Sequence, residues 1–114
     1  SSSLKKIEDY TFSNCQKLSK ILIPQSVTVI GKFAFNSCQS LSEVSLPSSL
    51  KRIEQCAFYD CSSLKEVEIP FSISFVGASV FSSCKSLAKL TIPSRIPTRQ
   101  LGCPSQTHII QLNT

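Results

Sequence analysis

A repeat of 23 residues constrains the fold more than any other feature of this sequence. Several residue types recur at that interval in a fixed phase. They form a proline column (Pro24, Pro47, Pro70, Pro93), a cysteine column (Cys15, Cys38, Cys61, Cys84), a phenylalanine column (Phe12, Phe35, Phe58, Phe81) and a leucine column (Leu18, Leu41, Leu64, Leu87). One such unit cannot bury its own apolar residues, whereas stacked units cover one another. The sequence therefore predicts a parallel solenoid of about five coils.

Within each unit, the spacing of apolar residues predicts the local structure. Val44 and Leu46 alternate with polar neighbours, which is typical of a short strand with one buried face. Pro47 has no backbone N–H and ends that strand. The β-branched residues from Val27 to Ile30 indicate a second short strand. Apolar residues three and four apart then predict one short helical or 3₁₀ segment per repeat. In one unit these residues are Ala57, Phe58, Cys61 and Leu64.

The period fails after Pro93. Arg99 and Pro104 stand where an apolar residue and a phenylalanine are expected. Ile110 and Leu112 repeat the pair Leu90 and Ile92 at a spacing of 20 residues. We therefore expect four repeats in residues 1–96, the first of them partial, and a shortened terminal coil in residues 97–114 that could serve as a C-terminal cap. Because the chain begins in mid-unit, we also expect the natural protein to continue upstream.

The repeated motif is Ile-Gly/Glu-x-x-x-Ala-Phe-x-x-Cys-x-x-Leu-x-x-Val-x-Ile-Pro, and it resembles the BspA-type leucine-rich repeat family. One copy runs from Ile30 to Pro47, a second from Ile53 to Pro70, a third from Val76 to Pro93, and a partial one from Ile7 to Pro24. The resemblance implies a right-handed leucine-rich-repeat solenoid, mainly parallel β, with one strand per repeat on its concave side. It also implies a surface protein that adheres to host cells or to matrix proteins such as fibronectin.

The six cysteines do not require a disulfide framework. Cysteines 23 residues apart lie one strand spacing apart with parallel side chains, which does not suit a disulfide. We expect buried free thiols in that column. Cys56 and Cys103 lie off the column and are expected to be unpaired. With one histidine and no C-x-x-C or H-x-x-H pair, the sequence predicts neither a metal site nor a cofactor.

Catalysis finds little support in the sequence. A Cys103–His108 nucleophile pair is conceivable. However, no Asp or Glu occurs in residues 69–114 to orient the histidine. Glu66 and Glu68 share one face of a strand and are expected to form a solvated stripe. We therefore predict that the chain is not an enzyme.

The charge is unevenly distributed. The net charge is +5, and all acidic residues precede Phe71. The C-terminal third is therefore basic, through Lys85, Lys89, Arg95 and Arg99, and could attract an acidic glycan. No aromatic residues interleave with these cations, so nucleic acid is not an expected partner. No apolar stretch in the sequence is long enough for a membrane span.

Outward residues of the longer strands form the predicted binding surface. Side chains alternate in and out along a strand, so the neighbours of the core residues face solvent. The predicted surface comprises Lys20, Leu22, Glu43, Ser45, Glu66, Glu68, Lys89 and Thr91. A rival surface carries the outward residues of the second strand in each repeat, and Phe71 and Phe75 are expected to be exposed apolar anchors.

These observations favour a non-catalytic protein-binding module. By the family resemblance, it would belong to a cell-surface or secreted adhesin that binds host or extracellular matrix proteins. The alternative is an intracellular protein-interaction scaffold that uses the same surface.

Overall fold

Short parallel strands make up nearly all of the regular structure. The computed structural model describes residues 3–113 and contains a 3₁₀ helix, Arg99–Leu101 (η1), besides the strands. The strands are β1 (Lys6–Ile7), β2 (Lys20–Leu22), β3 (Val29–Ile30), β4 (Glu43–Ser45), β5 (Arg52–Ile53), β6 (Glu66–Glu68), β7 (Phe75–Val76), β8 (Lys89–Pro93) and β9 (His108–Leu112). The predicted parallel β-solenoid of about five coils is confirmed.

In the sheets of the regular coils, each strand residue pairs with the residue 23 positions further along the chain. Strands β1, β3, β5 and β7 form one parallel sheet in which Ile7, Ile30, Ile53 and Val76 lie opposite one another. These strands are the predicted second short strand of each repeat. The longer strands form the other side of the solenoid, with β2 paired to β4 and β6 paired to β8 and β9. Equivalent residues of successive coils are therefore hydrogen-bonded neighbours.

A column of stacked phenyl rings runs through the core. Phe12, Phe35, Phe58 and Phe81 have ring centroids 5.1, 5.2 and 6.1 Å apart, and their planes differ by 12° or less. The last three are fully buried. Each ring is therefore covered by equivalent rings in the adjacent coils, which adds about 0.5–1.5 kcal/mol per pair to the gain from burial. The leucine and isoleucine columns enclose this stack.

Turns replace the predicted helical segment, and that prediction is wrong for the regular coils. Between Gly31 and Cys38, alternate N–H groups bond within the turn and to the next coil. The Ala34 N–H donates to the Gly31 carbonyl at 3.3 Å, and the Phe35 N–H donates to the Ala57 carbonyl at 2.8 Å. Left-handed backbone at Phe33 and Ser37, with φ of 55° and 60°, interrupts the helical path. The apolar spacing of three and four thus arises from consecutive turns.

The same left-handed positions recur in four coils. Besides Phe33 and Ser37, they are Tyr10, Asn14, Cys56, Asp60, Ser79 and Ser83. Such a conformation costs roughly 1–3 kcal/mol for a residue other than glycine. The hydrogen bonds to the next coil offset this cost, because they satisfy turn N–H groups that would otherwise be buried without partners.

The terminal coil is one residue shorter than the sequence indicated. Strand β9 pairs with β8 so that Ile109 lies opposite Leu90 and Gln111 lies opposite Ile92. The predicted equivalence of Ile110 and Leu112 with Leu90 and Ile92 was therefore wrong. Since strand side chains alternate, a shift of one residue turns Ile109 toward the core and Ile110 outward. The division into residues 1–96 and 97–114 stays a prediction.

The phenyl column yields a direct test of stability. Replacing Phe58 by Ala removes the ring between two others and leaves a cavity, so we expect the free energy of unfolding to fall by about 3–5 kcal/mol. The neighbouring Tyr59 is exposed, and Tyr59→Ala should cost about 1 kcal/mol or less. Urea denaturation of both variants gives the comparison. Equal losses for the two would contradict the stacked core.

Candidate binding surface

The eight residues predicted to bind a partner lie together on one face. Seven are exposed and Thr91 is half-buried. Strand register aligns them in two columns, one of Lys20, Glu43, Glu66 and Lys89, the other of Leu22, Ser45, Glu68 and Thr91. We call these eight residues the strand face. Its columns continue onto β9 as His108 and Ile110.

Alternation along the strands explains this arrangement. The residue between each outward pair points into the solenoid, namely Ile21, Val44, Val67 and Leu90. These inward residues are all aliphatic, whereas the outward residues change from coil to coil. The fold therefore constrains the inward positions and leaves the strand face free to vary.

Charges on the strand face are only partly matched. The Nζ atom of Lys20 lies 3.5 Å from Oε1 of Glu43, and both side chains are exposed. An exposed pair of this kind contributes about 1 kcal/mol or less. Within residues 3–113, neither the Glu66 nor the Glu68 carboxylate has an ion-pair or hydrogen-bond partner.

An opening between β4 and β6 divides the strand face. The two strands lie side by side but belong to separate hydrogen-bonded sheets. Val44 and Leu46 are half-buried there, whereas their equivalents in the next coil, Val67 and Ile69, are buried. We call this opening the seam. The sequence did not indicate it, because β4 and β6 have the same apolar pattern.

Shallow depressions follow the seam. One of about 500 Å³ is lined by Glu43, Val44 and Glu66, among others. Another of about 410 Å³ lies at the far end of the strands, where Glu68, Phe71 and further residues surround it. We call these depressions together the groove; they add to the exposed side chains of the strand face.

Phe71 and Phe75 are both exposed, as predicted, but they lie on different sides of the molecule. Phe71 is 52% exposed and borders the groove at the end of the strand face. Phe75 lies on the sheet of the short strands, where the Arg52 guanidinium packs 4.3 Å from its ring centre. Arg52 also donates to Glu54 at 2.8 Å. Side chains of this rival surface are therefore engaged with one another.

The described cysteines are all free thiols, as the sequence predicted. In three of them the thiol donates to the backbone carbonyl of a phenylalanine in the preceding coil, a contact the sequence did not indicate. The pairs are Cys38 with Phe12 at 3.0 Å, Cys61 with Phe35 at 3.1 Å and Cys84 with Phe58 at 3.1 Å. The cysteine column thus joins successive coils without disulfides.

Burial makes these thiols poor nucleophiles. Desolvation raises the pKa of Cys84 to about 12, and it also raises the pKa of Cys61 and of Cys38. Cys103 packs against the core close enough to Cys84 to help raise the pKa of Cys84. Cys103, which the sequence places off the 23-residue column, thus lies close to the last cysteine of that column.

The thiols should react in an order set by burial. At pH 8 we expect iodoacetamide to label half-buried Cys15 and Cys56 well before Cys61 and Cys84, because the thiolate is the reactive form. Mass spectrometry of the labelled peptides measures each rate. In urea the differences should disappear. Native Cys61 reacting as fast as Cys56 would contradict the buried column.

The residues considered for catalysis do not form a site. His108 is exposed at the start of β9. The part of the chain that the structure describes contains no hydrogen bond from Cys103 to this histidine. Nor does any group of three or more His, Cys, Asp or Glu in residues 3–113 converge as a metal site. In the basic C-terminal third, Arg95 donates to the Ile73 and Phe71 carbonyls.

A sequence model described as "BspA type Leucine rich repeat region (6 copies)" matches residues 1–111. The chain belongs to the BspA-type leucine-rich repeat family. Leucine-rich repeat proteins are generally non-catalytic, and membership of this family is consistent with a protein-binding repeat module. Comparison with curated proteins gave no match.

Solved structures with the same fold include several bacterial leucine-rich repeat proteins. A Bacteroides ovatus protein is 30% identical with a TM-score of 0.88, over 97% of this chain and 31% of its own. A leucine-rich cell surface protein from Faecalibacterium prausnitzii is 28% identical with a TM-score of 0.86, over 95% and 29%. The leucine-rich repeat protein of T. pallidum is 30% identical with a TM-score of 0.75, over 95% and 45%. This chain therefore spans less than half of each relative. Within residues 3–113 no helix has the length and hydropathy to cross a membrane.

Proposed function

We propose that this chain is a non-catalytic binding module of a cell-surface or secreted adhesin, and that its strand face binds host or extracellular matrix proteins. The observation that carries the proposal is the contrast between uniformly aliphatic inward residues and varied outward residues on the same strands. A surface that varies on a fixed scaffold can acquire a partner without loss of stability.

The strand face also has the composition that a protein partner requires. It combines charged side chains with the exposed apolar residue Leu22, which is 75% exposed, and with Phe71 at the end of the groove. Large apolar side chains supply binding energy, while charges orient the partner. The rival surface has fewer free groups, because Arg52 is engaged with Phe75 and Glu54.

The resemblance to a cell surface protein supports an extracellular setting. The Faecalibacterium prausnitzii relative is described as a leucine-rich cell surface protein. The complete open reading frame distinguishes the adhesin from an intracellular scaffold, since a signal peptide or surface anchor would favour the adhesin.

Binding to immobilised fibronectin tests the proposal. The triple variant Glu43→Ala, Glu66→Ala and Glu68→Ala removes three exposed carboxylates from the strand face without touching the core. We expect its affinity to fall at least tenfold, which corresponds to about 1.4 kcal/mol. Surface plasmon resonance measures the affinity, and circular dichroism checks that the fold is intact.

Carboxylates on the other side of the molecule supply the control. Glu8→Ala combined with Glu54→Ala alters exposed or half-buried acids outside the strand face and should leave the affinity unchanged. Equal affinity of the triple variant and the unaltered chain would exclude the strand face. Binding to heparin but not to fibronectin would favour a glycan ligand instead.

A further inference from the structure

The acidic side chains of this chain differ in whether they form an ion pair or a hydrogen bond within the fold. The sequence has seven acidic residues, and five of them have partners within residues 3–113. Those pairs are Glu8 with Lys6, Asp9 with the Lys32 N–H, Glu43 with Lys20, Glu54 with Arg52, and Asp60 with the Ser37 hydroxyl. Glu66 and Glu68, which lie on the strand face, are the two without such a partner in that part of the chain. A cation can therefore approach them without breaking a contact.

Backbone groups at the seam also lack their usual partners. On either side of it, the Ile23 N–H donates to Ser45 at 3.1 Å and the Ile69 N–H donates to Thr91 at 2.8 Å. Among residues 3–113 the corresponding bond, from the Leu46 N–H to the Glu68 carbonyl, is not formed. The seam therefore leaves backbone groups of β4 and β6 without the bonds that join the longer strands of the other coils.

The opening is confined to the strand face. On the turn side of the same two coils, the Phe35 N–H donates to the Ala57 carbonyl at 2.8 Å and the Ser37 N–H donates to the Tyr59 carbonyl at 2.7 Å. Strands β3 and β5 are also paired there in full register. The two coils are thus held together by their turns and short strands, while their longer strands lie side by side without pairing.

The groove has an acidic part and an apolar end. Glu66 and Glu68 are two residues apart on β6, so they point the same way at a separation of roughly 7 Å along the strand. Beyond them, Leu46, Phe71 and Leu112 surround the depression of about 410 Å³. Lys89 pairs in register with Glu66, and Lys65 lines the same depression as Glu66, but neither lysine forms an ion pair with Glu66 in the described chain.

From these observations we infer that the seam docks an extended segment of a partner protein with basic residues at alternate positions, followed by a large apolar residue. The inference rests on the proposed function and names the chemistry of its partner. Alternate residues of an extended chain project to one side at the spacing of Glu66 and Glu68. The apolar residue then reaches the depression beside Phe71.

A preference for a basic partner segment is unusual for a protein whose own net charge is positive. A chain of net charge +5 repels a basic segment at long range, so attraction must come from a local acidic site. At physiological ionic strength the screening length is about 8 Å, so the long-range repulsion is largely screened. Short-range contacts within the groove then determine which segment binds. The negative charge of Glu66 and Glu68 at the seam is therefore opposite in sign to the net charge of the protein.

Short synthetic peptides test the inference. One carries Lys-Ser-Lys-Ser-Leu, a second replaces both lysines by glutamate, and a third places the lysines side by side. We expect the first to bind most tightly and its affinity to fall as salt is raised. Fluorescence anisotropy of labelled peptides measures each dissociation constant. Equal affinity for all three, or tighter binding of the acidic peptide, would overturn the inference.

Matched variants locate the contact. Glu66→Gln with Glu68→Gln should weaken the lysine peptide at least tenfold, whereas Glu8→Gln with Glu54→Gln makes the same charge change elsewhere and should not. Phe71→Ala should weaken it severalfold, and Phe75→Ala on the other sheet should have no effect. Equal losses for either pair of matched variants would overturn the inference.

The two proposals fail in different ways. If the peptide does not bind but fibronectin binding depends on the strand face, the basic-segment inference is wrong and the adhesin function stands. If the peptide binds in the expected order but no matrix protein does, the seam chemistry stands and the adhesin function is wrong.

Discussion

Hydrogen bonding between equivalent residues of successive coils is the constraint on which the rest of this structure depends. Within residues 3–113 the strands contain only two to five residues, and the regular coils have no helix to satisfy their backbone. Alternate turn N–H groups, such as that of Phe35, therefore bond to carbonyls of the neighbouring coil. Once these bonds set the register, identical side chains must lie over one another, and flat rings, thiols and branched aliphatic residues fill the columns.

The periodic part of the fold could be predicted from the sequence because period and register are the same quantity. The columns headed by Phe12 and Cys15, the two strands per repeat and the free thiols all follow from the 23-residue spacing. Helical segments were predicted wrongly because apolar residues three and four apart also fit consecutive turns. Only the left-handed backbone at Phe33 and Ser37 distinguishes the two, and neither residue type signals that conformation strongly.

Departures from the period were harder to predict. The sequence placed Ile110 in the core, and the structure places Ile109 there, because the terminal coil omits one residue more than the apolar pattern suggested. The seam could not be predicted because the sequence pattern is regular there. Val44 and Val67 occupy equivalent positions, so the pattern gave no indication that β4 and β6 separate. The strand face itself was predictable from alternation, whereas the lack of partners for the Glu66 and Glu68 carboxylates within residues 3–113 depends on interatomic distances that a sequence pattern does not contain.

In this molecule a variable surface lies on a scaffold whose register is fixed by bonds between coils. Scalar couplings across hydrogen bonds, measured by NMR, test those bonds most directly. The account predicts a coupling from the Phe35 amide nitrogen to the Ala57 carbonyl carbon, and another from the Phe58 nitrogen to the Val80 carbonyl. Couplings from these amides to carbonyls within their own turn, and none to the next coil, would contradict it.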